Sequence, residues 1–478
     1  MLFQEILAIV LYFAGLFTIG YLSYRKQHTD TDFIMGGRSL GYWLTALAAH
    51  ASDMSSWLFI AYPAALFMGG LKESWTGIGL FVCMFLNWQF IAPKIRTATE
   101  QFNSLTFSSF FENRLGDRSG MIRVFTALIL FVFYTIYISS GLVALGLLLE
   151  TLFNMPYSIG VLVGIVIVIP YVFVGGYATL AWIDLFQGLF LMCVIIFVPL
   201  FLLPQVGGWD GIHAAATAKN LSFALFPKLS FQSVTEVLLM SFGWGLGYFG
   251  QPHIITKFMG IRNVHDIAKS KYIGMSWMFL ALGAATLVGL VGIAYFKASH
   301  DPQLMFIDMV KNSFPPFIVG LILCAVLAAA MNAMSSQILV VASSFTEDIY
   351  KRLFRKLATP KELLMVSRLG VVLISAVAFC IAYGKISTIY SLVLYAWSGI
   401  GSSFGPLIVL SLYSKNVNKY GAWAGIVSGG LLAGLWPYLN RFFPIQMPAM
   451  VPGFIVGILA ILIVSRLTNG AEADVELP

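Results

Sequence analysis

Asp53 stands in the middle of an apolar stretch, within the run Ala48-Ala49-His50-Ala51-Ser52-Asp53-Met54-Ser55-Ser56-Trp57. A carboxylate at the centre of a membrane helix costs about 2.5–3.5 kcal/mol on insertion scales, so its presence demands a partner or a task. Ser and Asp side chains compete with the helix for backbone hydrogen bonds, and the run predicts an interrupted helix. An unwound turn at membrane depth exposes carbonyls that water or a cation must satisfy, which happens only where the turn lines a cavity. The alternative is a buried Asp bonded to neighbouring serines for helix packing.

A second interruption is predicted at Gly243-Trp244-Gly245-Leu246-Gly247-Tyr248-Phe249-Gly250-Gln251-Pro252, where four glycines fall within eight residues and Pro252 ends the run. Glycine disfavours helix and admits a ligand close to the backbone. Trp244 and Tyr248, one turn apart, present two aromatic faces on one side. A small-residue packing face is the competing reading. Asp184, in Ala181-Trp182-Ile183-Asp184, lies near the start of its apolar stretch, where it serves either a cation or the helix macrodipole. Asn332, with Ser335 and Ser336 three and four residues on, forms an oxygen stripe on one helix face, suited to a hard cation or to tight packing.

These groups must be positioned by helices in lipid. Of 478 residues, 59% are apolar and 10% charged, and the mean hydropathy is +0.87. Soluble domains carry about 25% charged residues. The composition excludes a soluble or disordered chain. The net charge of +7 speaks to membrane orientation and not to nucleic acid. Apolar windows at 3–23, 41–68, 75–93, 124–150, 156–175, 181–204, 233–252, 272–296, 315–347, 366–384, 387–413, 421–440 and 449–467 predict an all-α polytopic membrane protein of about thirteen spans. With the N-terminus outside, 21 of the 28 Lys and Arg fall on the inner side, among them Arg25, Lys26, Arg38 and Lys257, against seven outside, Lys228 among these. This places the C-terminal tail, Ala471 to Pro478, in the cytoplasm. The first window lacks the features of a signal peptide and is read as a retained helix. Cys83, Cys193, Cys324 and Cys380 have no paired or metal-type spacing and read as buried thiols.

Interrupted helices five spans apart predict two five-helix repeats of inverted topology, a LeuT-like core with substrate and ions at the repeat interface. The chain then divides into a first helix and loop (1–40), a first repeat (41–204), a second repeat (233–413) and additional helices with a short tail (421–478), all in one domain. An enzyme is not expected: no metal-type His pair or convergent carboxylates are visible, and only His50 of six histidines falls at membrane depth. A non-transporting solute sensor would carry an appended signalling domain, for which the tail after Arg466 is short.

The residues also carry a family resemblance. Gly36-Gly37-Arg38-Ser39-Leu40, Ala51-Ser52-Asp53-Met54-Ser55, Glu73-Ser74-Trp75, the run Phe242 to His253, Thr346-Glu347-Asp348 and Tyr395-Ala396-Trp397 resemble the sodium/solute symporters, especially the bacterial proline-importing group. The resemblance covers nearly the whole chain. It implies sodium-coupled proline import into the cytoplasm across the bacterial inner membrane, no cofactor beyond the coupling ion, and no required protein partner. It assigns sodium to main-chain oxygens of Ala51, Met54 and Ala329 with the Asp53 carboxylate, and proline to Tyr137, Trp244, Tyr248 and Pro252 with Ser55 beside them. Arg38 matches a cation-path residue. Asp184 matches one that influences ion release, and with Ser335 and Ser336 it matches a second sodium site of some relatives. Three positions depart from the family pattern. Asn332 and Ala333 stand where two hydroxyl residues complete the sodium site, Ser56 replaces a glycine beside the substrate, and His50 replaces a small residue one turn before Asp53. A histidine within reach of an aspartate exchanges protons near neutral pH, which keeps proton coupling as the alternative, along with another small carboxylate or amino acid as cargo.

Overall fold

The computed structural model describes residues 2–24, 38–174, 177–226, 230–298 and 300–468. Arg25, Lys26, Gly36, Gly37, Lys228 and the tail Ala471 to Pro478 lie outside the described residues. Among those described, regular structure is helical apart from a single isolated bridge between Leu40 and Ile261.

The first half comprises α1 (Leu2–Tyr24), α2 (Tyr42–Asp53), α3 (Tyr62–Gly69), α4 (Ser74–Leu86), α5 (Ala92–Gln101), α6 (Phe107–Leu115), α7 (Met121–Phe153), α8 (Tyr157–Val174) and α9 (Tyr177–Leu202). The second half comprises α10 (Gly208–Ala218), α11 (Phe231–Gly245), α12 (Pro252–Met259), α13 (Ile267–Tyr295), α14 (Met305–Ser313), α15 (Pro316–Ser344), α16 (Pro360–Tyr383), α17 (Ile389–Tyr413), α18 (Lys419–Leu439) and α19 (Met450–Leu467). Among the described residues, ten helical stretches are long and apolar enough to cross a membrane. The other three windows fall on α8 and on two interrupted helices, α2 with α3 and α11 with α12. A bilayer forces every backbone polar group to find a partner within the chain, which is why so apolar a sequence folds as helices.

Burial ranks the helices. The most apolar stretch of α15 is largely enclosed, packed against α1, α2, α7 and α9, whereas α1, α16 and α19 keep broad apolar faces outward. Phe3 and Phe17 on α1 and Leu369 on α16 are more than half exposed, as lipid-facing side chains are. Cys83 and Cys324 are buried as expected, but Cys193 and Cys380 lie on exposed faces of α9 and α16. An apolar window does not say which of its faces meets protein and which meets lipid.

The seventh window ends too early. Pro252 does not end the helical run but opens α12 at its first position, where the missing N–H costs nothing. His253 and Lys257 are therefore buried helix residues and not loop residues, so His50 is not alone at membrane depth and Lys257 leaves the inner-loop count. Similarly, α15 runs on through a π-helical extension, Phe345–Phe354.

Candidate functional site

The first break follows from how Ser55 spends its hydrogen bonds. Its N–H, which an unbroken helix would give to the Ala51 carbonyl, bonds the Asp53 carbonyl at 2.9 Å. The Leu58 N–H, due to Met54, goes to the Ser55 carbonyl at 3.0 Å, and the Ser55 hydroxyl accepts the Trp57 N–H at 3.2 Å. The carbonyls of Ala51 and Met54 thus lose their helical donors, as does that of Asp53, which takes the Ser55 N–H instead. Ser52 turns its hydroxyl back to the Ala49 carbonyl at 3.2 Å.

In the second break a 3-10 turn, Leu246–Gly250, lies between α11 and α12 and packs against α17. None of its glycines has a positive φ, so conformational freedom is not what they supply. They supply room. A Cβ at Gly247 would collide with the Trp397 indole, and one at Gly250 would stand 2.5 Å from the Gly405 nitrogen. These glycines admit protein neighbours; a ligand's approach to the backbone is not what they provide. The packing reading therefore holds for the glycines, while the aromatic side chains between them face inward.

Asp53, Met54, Trp57, Leu80, Tyr137, Trp244, Tyr248, Val393 and Trp397 line a hollow with free space of about 10 Å³, room for one water. Tyr248 donates its hydroxyl to Asp53 Oδ2, which joins the two breaks directly. The Tyr248 carbonyl accepts from Asn87 Nδ2 at 3.0 Å, and the Trp397 indole N–H bonds the Trp244 carbonyl at 2.8 Å. Trp57 and Trp244 lie 5.1 Å apart, and Trp244 donates to the Tyr390 hydroxyl at 3.2 Å. A solute larger than water does not fit this space as it stands. Trp57, Leu80, Val393 and Trp397 were not singled out from sequence. Trp57 and Trp397 were visible in the quoted motifs, but Leu80 and Val393 carry no local signal. Ser55, Ser56 and Pro252 are buried but are not among the lining residues.

On α15, Ala329, Asn332, Ala333, Ser335 and Ser336 are all buried. Ser335 donates to the Asn332 carbonyl at 3.0 Å, whereas both side-chain polar atoms of Asn332 and the Ser336 hydroxyl have no hydrogen-bond partner among the described residues. Packing alone does not account for orphaned polar atoms in a membrane interior, where each costs free energy. His50 is turned to another task. Its Nε2 accepts the Trp88 indole N–H at 3.2 Å, and its ring lies between Trp88 and Trp277 at 6.1 and 5.9 Å. An indole N–H only donates, so His50 Nε2 is unprotonated there and the ring acts as a neutral wedge. Asp53 bonds Tyr248, not His50.

Asp184 is the eighth residue of α9, beyond the first turn where a macrodipole acts. Its partner is Lys257 Nζ, at 2.9 Å. Arg38 adopts a left-handed conformation, φ 54°, and donates to the Thr99 and Ser104 carbonyls at 2.8 and 3.0 Å, beside the C-terminal end of α5. Nearby, Leu40 donates its N–H to the Gly260 carbonyl at 3.2 Å and accepts the Arg262 N–H at 2.9 Å, which ties the start of α2 to the end of α12. Sequence reading also passed over the role of Asp348, fully buried at the end of α15. It accepts from Thr106, Ser108, Ser344 and Arg123, while Arg123 and Arg352 both pair with Glu112.

A family model described as the sodium:solute symporter family matches residues 33–429 of the chain. The high-affinity proline transporter PutP of Bacillus subtilis is 40% identical over 96% of this chain and 97% of its own length. A sodium/proline symporter of Staphylococcus aureus is 39% identical over 99% of this chain and 94% of its own. Among solved structures, a substrate-bound, outward-open Na+-coupled sialic acid symporter superposes with a TM-score of 0.82 at 18% identity over 99% of both chains. The transporter MhsT, in complex with L-phenylalanine, gives 0.57 at 15% identity over 88% of this chain and 97% of its own. These likenesses carry the LeuT-like fold that the paired breaks predicted. With the interrupted helices, the aromatic-lined hollow and near full-length similarity all in agreement, this multi-pass membrane protein belongs to the sodium:solute symporter family.

Proposed function

We propose that this protein is a secondary active symporter that imports L-proline with sodium by alternating access across the bacterial cytoplasmic membrane, its N-terminus outside and its C-terminus within. Residues 41–204 and 233–413 act as the two inverted repeats. Sodium is held by the freed carbonyls of Ala51 and Met54, the Asp53 carboxylate, and Ala329 with the unpartnered Asn332 of α15. Proline is held against Tyr137, Trp244 and Tyr248, with Ser55, Ser56 and Pro252 shaping the breaks and Trp57 and Trp397 completing the wall. Arg38 lies on the cytoplasmic cation path.

The observation that carries this reading is the Tyr248–Asp53 hydrogen bond, through which the cation ligand and the solute wall form one unit. A cation drawn to Asp53 then changes the wall that solute meets, and the differential affinity of the two states supplies the coupling. The placement of His50 favours sodium over protons. Uptake of labelled proline into vesicles, with sodium and proton gradients imposed separately, tests this. A sodium gradient alone drives accumulation; uptake driven by protons alone, or by neither gradient, refutes the proposal.

A further inference from the structure

Two buried carboxylates lie beside one another's helices in the membrane interior, and only one of them comes with its own cation. Asp53 receives a neutral hydroxyl from Tyr248. Asp184 receives the Lys257 ammonium at 2.9 Å, and neither side chain is more than 3% exposed. The second oxygen of Asp184, Oδ1, is buried and has no hydrogen-bond partner among the described residues. The Lys257 ammonium also lies over the Tyr177 ring at 5.0 Å, and the Tyr177 hydroxyl bonds the Thr256 carbonyl at 2.8 Å. Adjacent residues of α12 are thus fastened to α9. One turn after Asp184, Gly188 faces Ala51, so closely that a Cβ there would stand 2.9 Å from the Ala51 Cβ. The carboxylate therefore rides on a helix packed against the broken end of α2.

A buried carboxylate with a free oxygen is half of a cation site, because hard cations take oxygen ligands. The unpartnered, buried Ser336 hydroxyl lies on α15, which packs against α9. In this chain the charge is already matched. A lysine ammonium is a monovalent cation on a four-carbon stem, and a buried carboxylate stripped of its partner is left strongly uncompensated.

We propose that Lys257 is a tethered cation that holds Asp184 in place of a second sodium ion, so that a single sodium, at Asp53, accompanies each solute. The inference rests on the sodium-coupled reading above and deepens it, since it fixes the ion count. Lys257 belongs to the half-helix that opens at Pro252 and follows directly on the turn bearing Tyr248. Its charge therefore moves with the solute-facing segment and is retained by the protein, while a bound ion would be released.

The experiment counts ions. Wild-type protein, Lys257→Met and the double variant Lys257→Met/Asp184→Asn are purified and reconstituted, and radiolabelled sodium bound per protein and charge moved per labelled proline are measured. Lys257→Met doubles both counts, from one to two, and turns a hyperbolic sodium dependence sigmoidal; the double variant returns the counts to one. If Lys257→Met moves no proline, bound sodium is still counted and decides the question by itself. Equal counts in all three proteins, or two sodium ions bound by the wild type, overturn the proposal. A wild type that binds no sodium refutes the sodium-coupled reading itself.

Discussion

Replacing Tyr248 with Phe removes one hydroxyl and little else. The ring keeps its edge contact with Trp397, at 5.3 Å and 89°, and the backbone keeps its bond from Asn87. What disappears is the hydrogen bond to Asp53 Oδ2, formed between groups 1% and 7% exposed. A hydrogen bond to a charged group contributes about 1.5–3 kcal/mol. At about 1.4 kcal/mol per factor of ten, its loss is worth roughly ten- to 150-fold in an equilibrium constant. Because the bond joins the cation ligand to the solute wall, the loss falls on coupling. Sodium raises proline affinity by some factor in the wild type, and that factor shrinks by roughly ten-fold or more in Tyr248→Phe. Linkage requires proline's effect on sodium affinity to shrink equally. Equilibrium binding of labelled proline at several sodium concentrations, and of labelled sodium with and without proline, measures both sides. If proline affinity falls while the coupling factor stays within about two-fold of the wild-type value, the bond is ordinary packing and the reasoning is wrong.

Gly247→Ala forces a Cβ into the Trp397 indole and should cost about 1–3 kcal/mol of stability, read as a lower thermal unfolding midpoint in detergent; an unchanged midpoint would show that the 3-10 turn yields freely. His50→Gln should leave the shape of the uptake-versus-pH curve between about pH 6 and 8 unaltered, because the His50 ring is a neutral wedge between two tryptophans; loss of one limb would restore His50 as a proton carrier. Arg123→Gln strips Asp348 and Glu112 of a shared cation and should destabilise by about 3–5 kcal/mol, with part of the loss recovered in Arg123→Gln/Asp348→Asn. Failure of the double variant to regain stability would mean that Arg123 acts through its contacts and not its charge.

The fold class and the two breaks were legible in the sequence because both are local consequences of composition. A bilayer leaves helix as the form open to long apolar runs, and Ser, Asp and Gly undo a helix through their own side chains or the lack of one. Asp53, Trp244 and Tyr248 could be named for the same reason: an ionisable residue in lipid and two aromatics one turn apart are conspicuous without neighbours. Only tertiary structure decided what each group touches. Asp184 looked like a lone acid at a helix start until Lys257, 73 positions away, was found on it, and Lys257 looked like a loop residue because Pro252 is as good a helix opener as it is a stop. His50, three residues before Asp53, suggested proton exchange, but the indoles of α13 and of the π turn before α5 claimed its ring. Leu80 and Val393 line the hollow without any local mark, since a leucine or valine facing a cavity is chemically the same as one facing lipid. Periodicity and polarity fix what a segment is; partners across the chain are fixed by packing, which no single segment encodes.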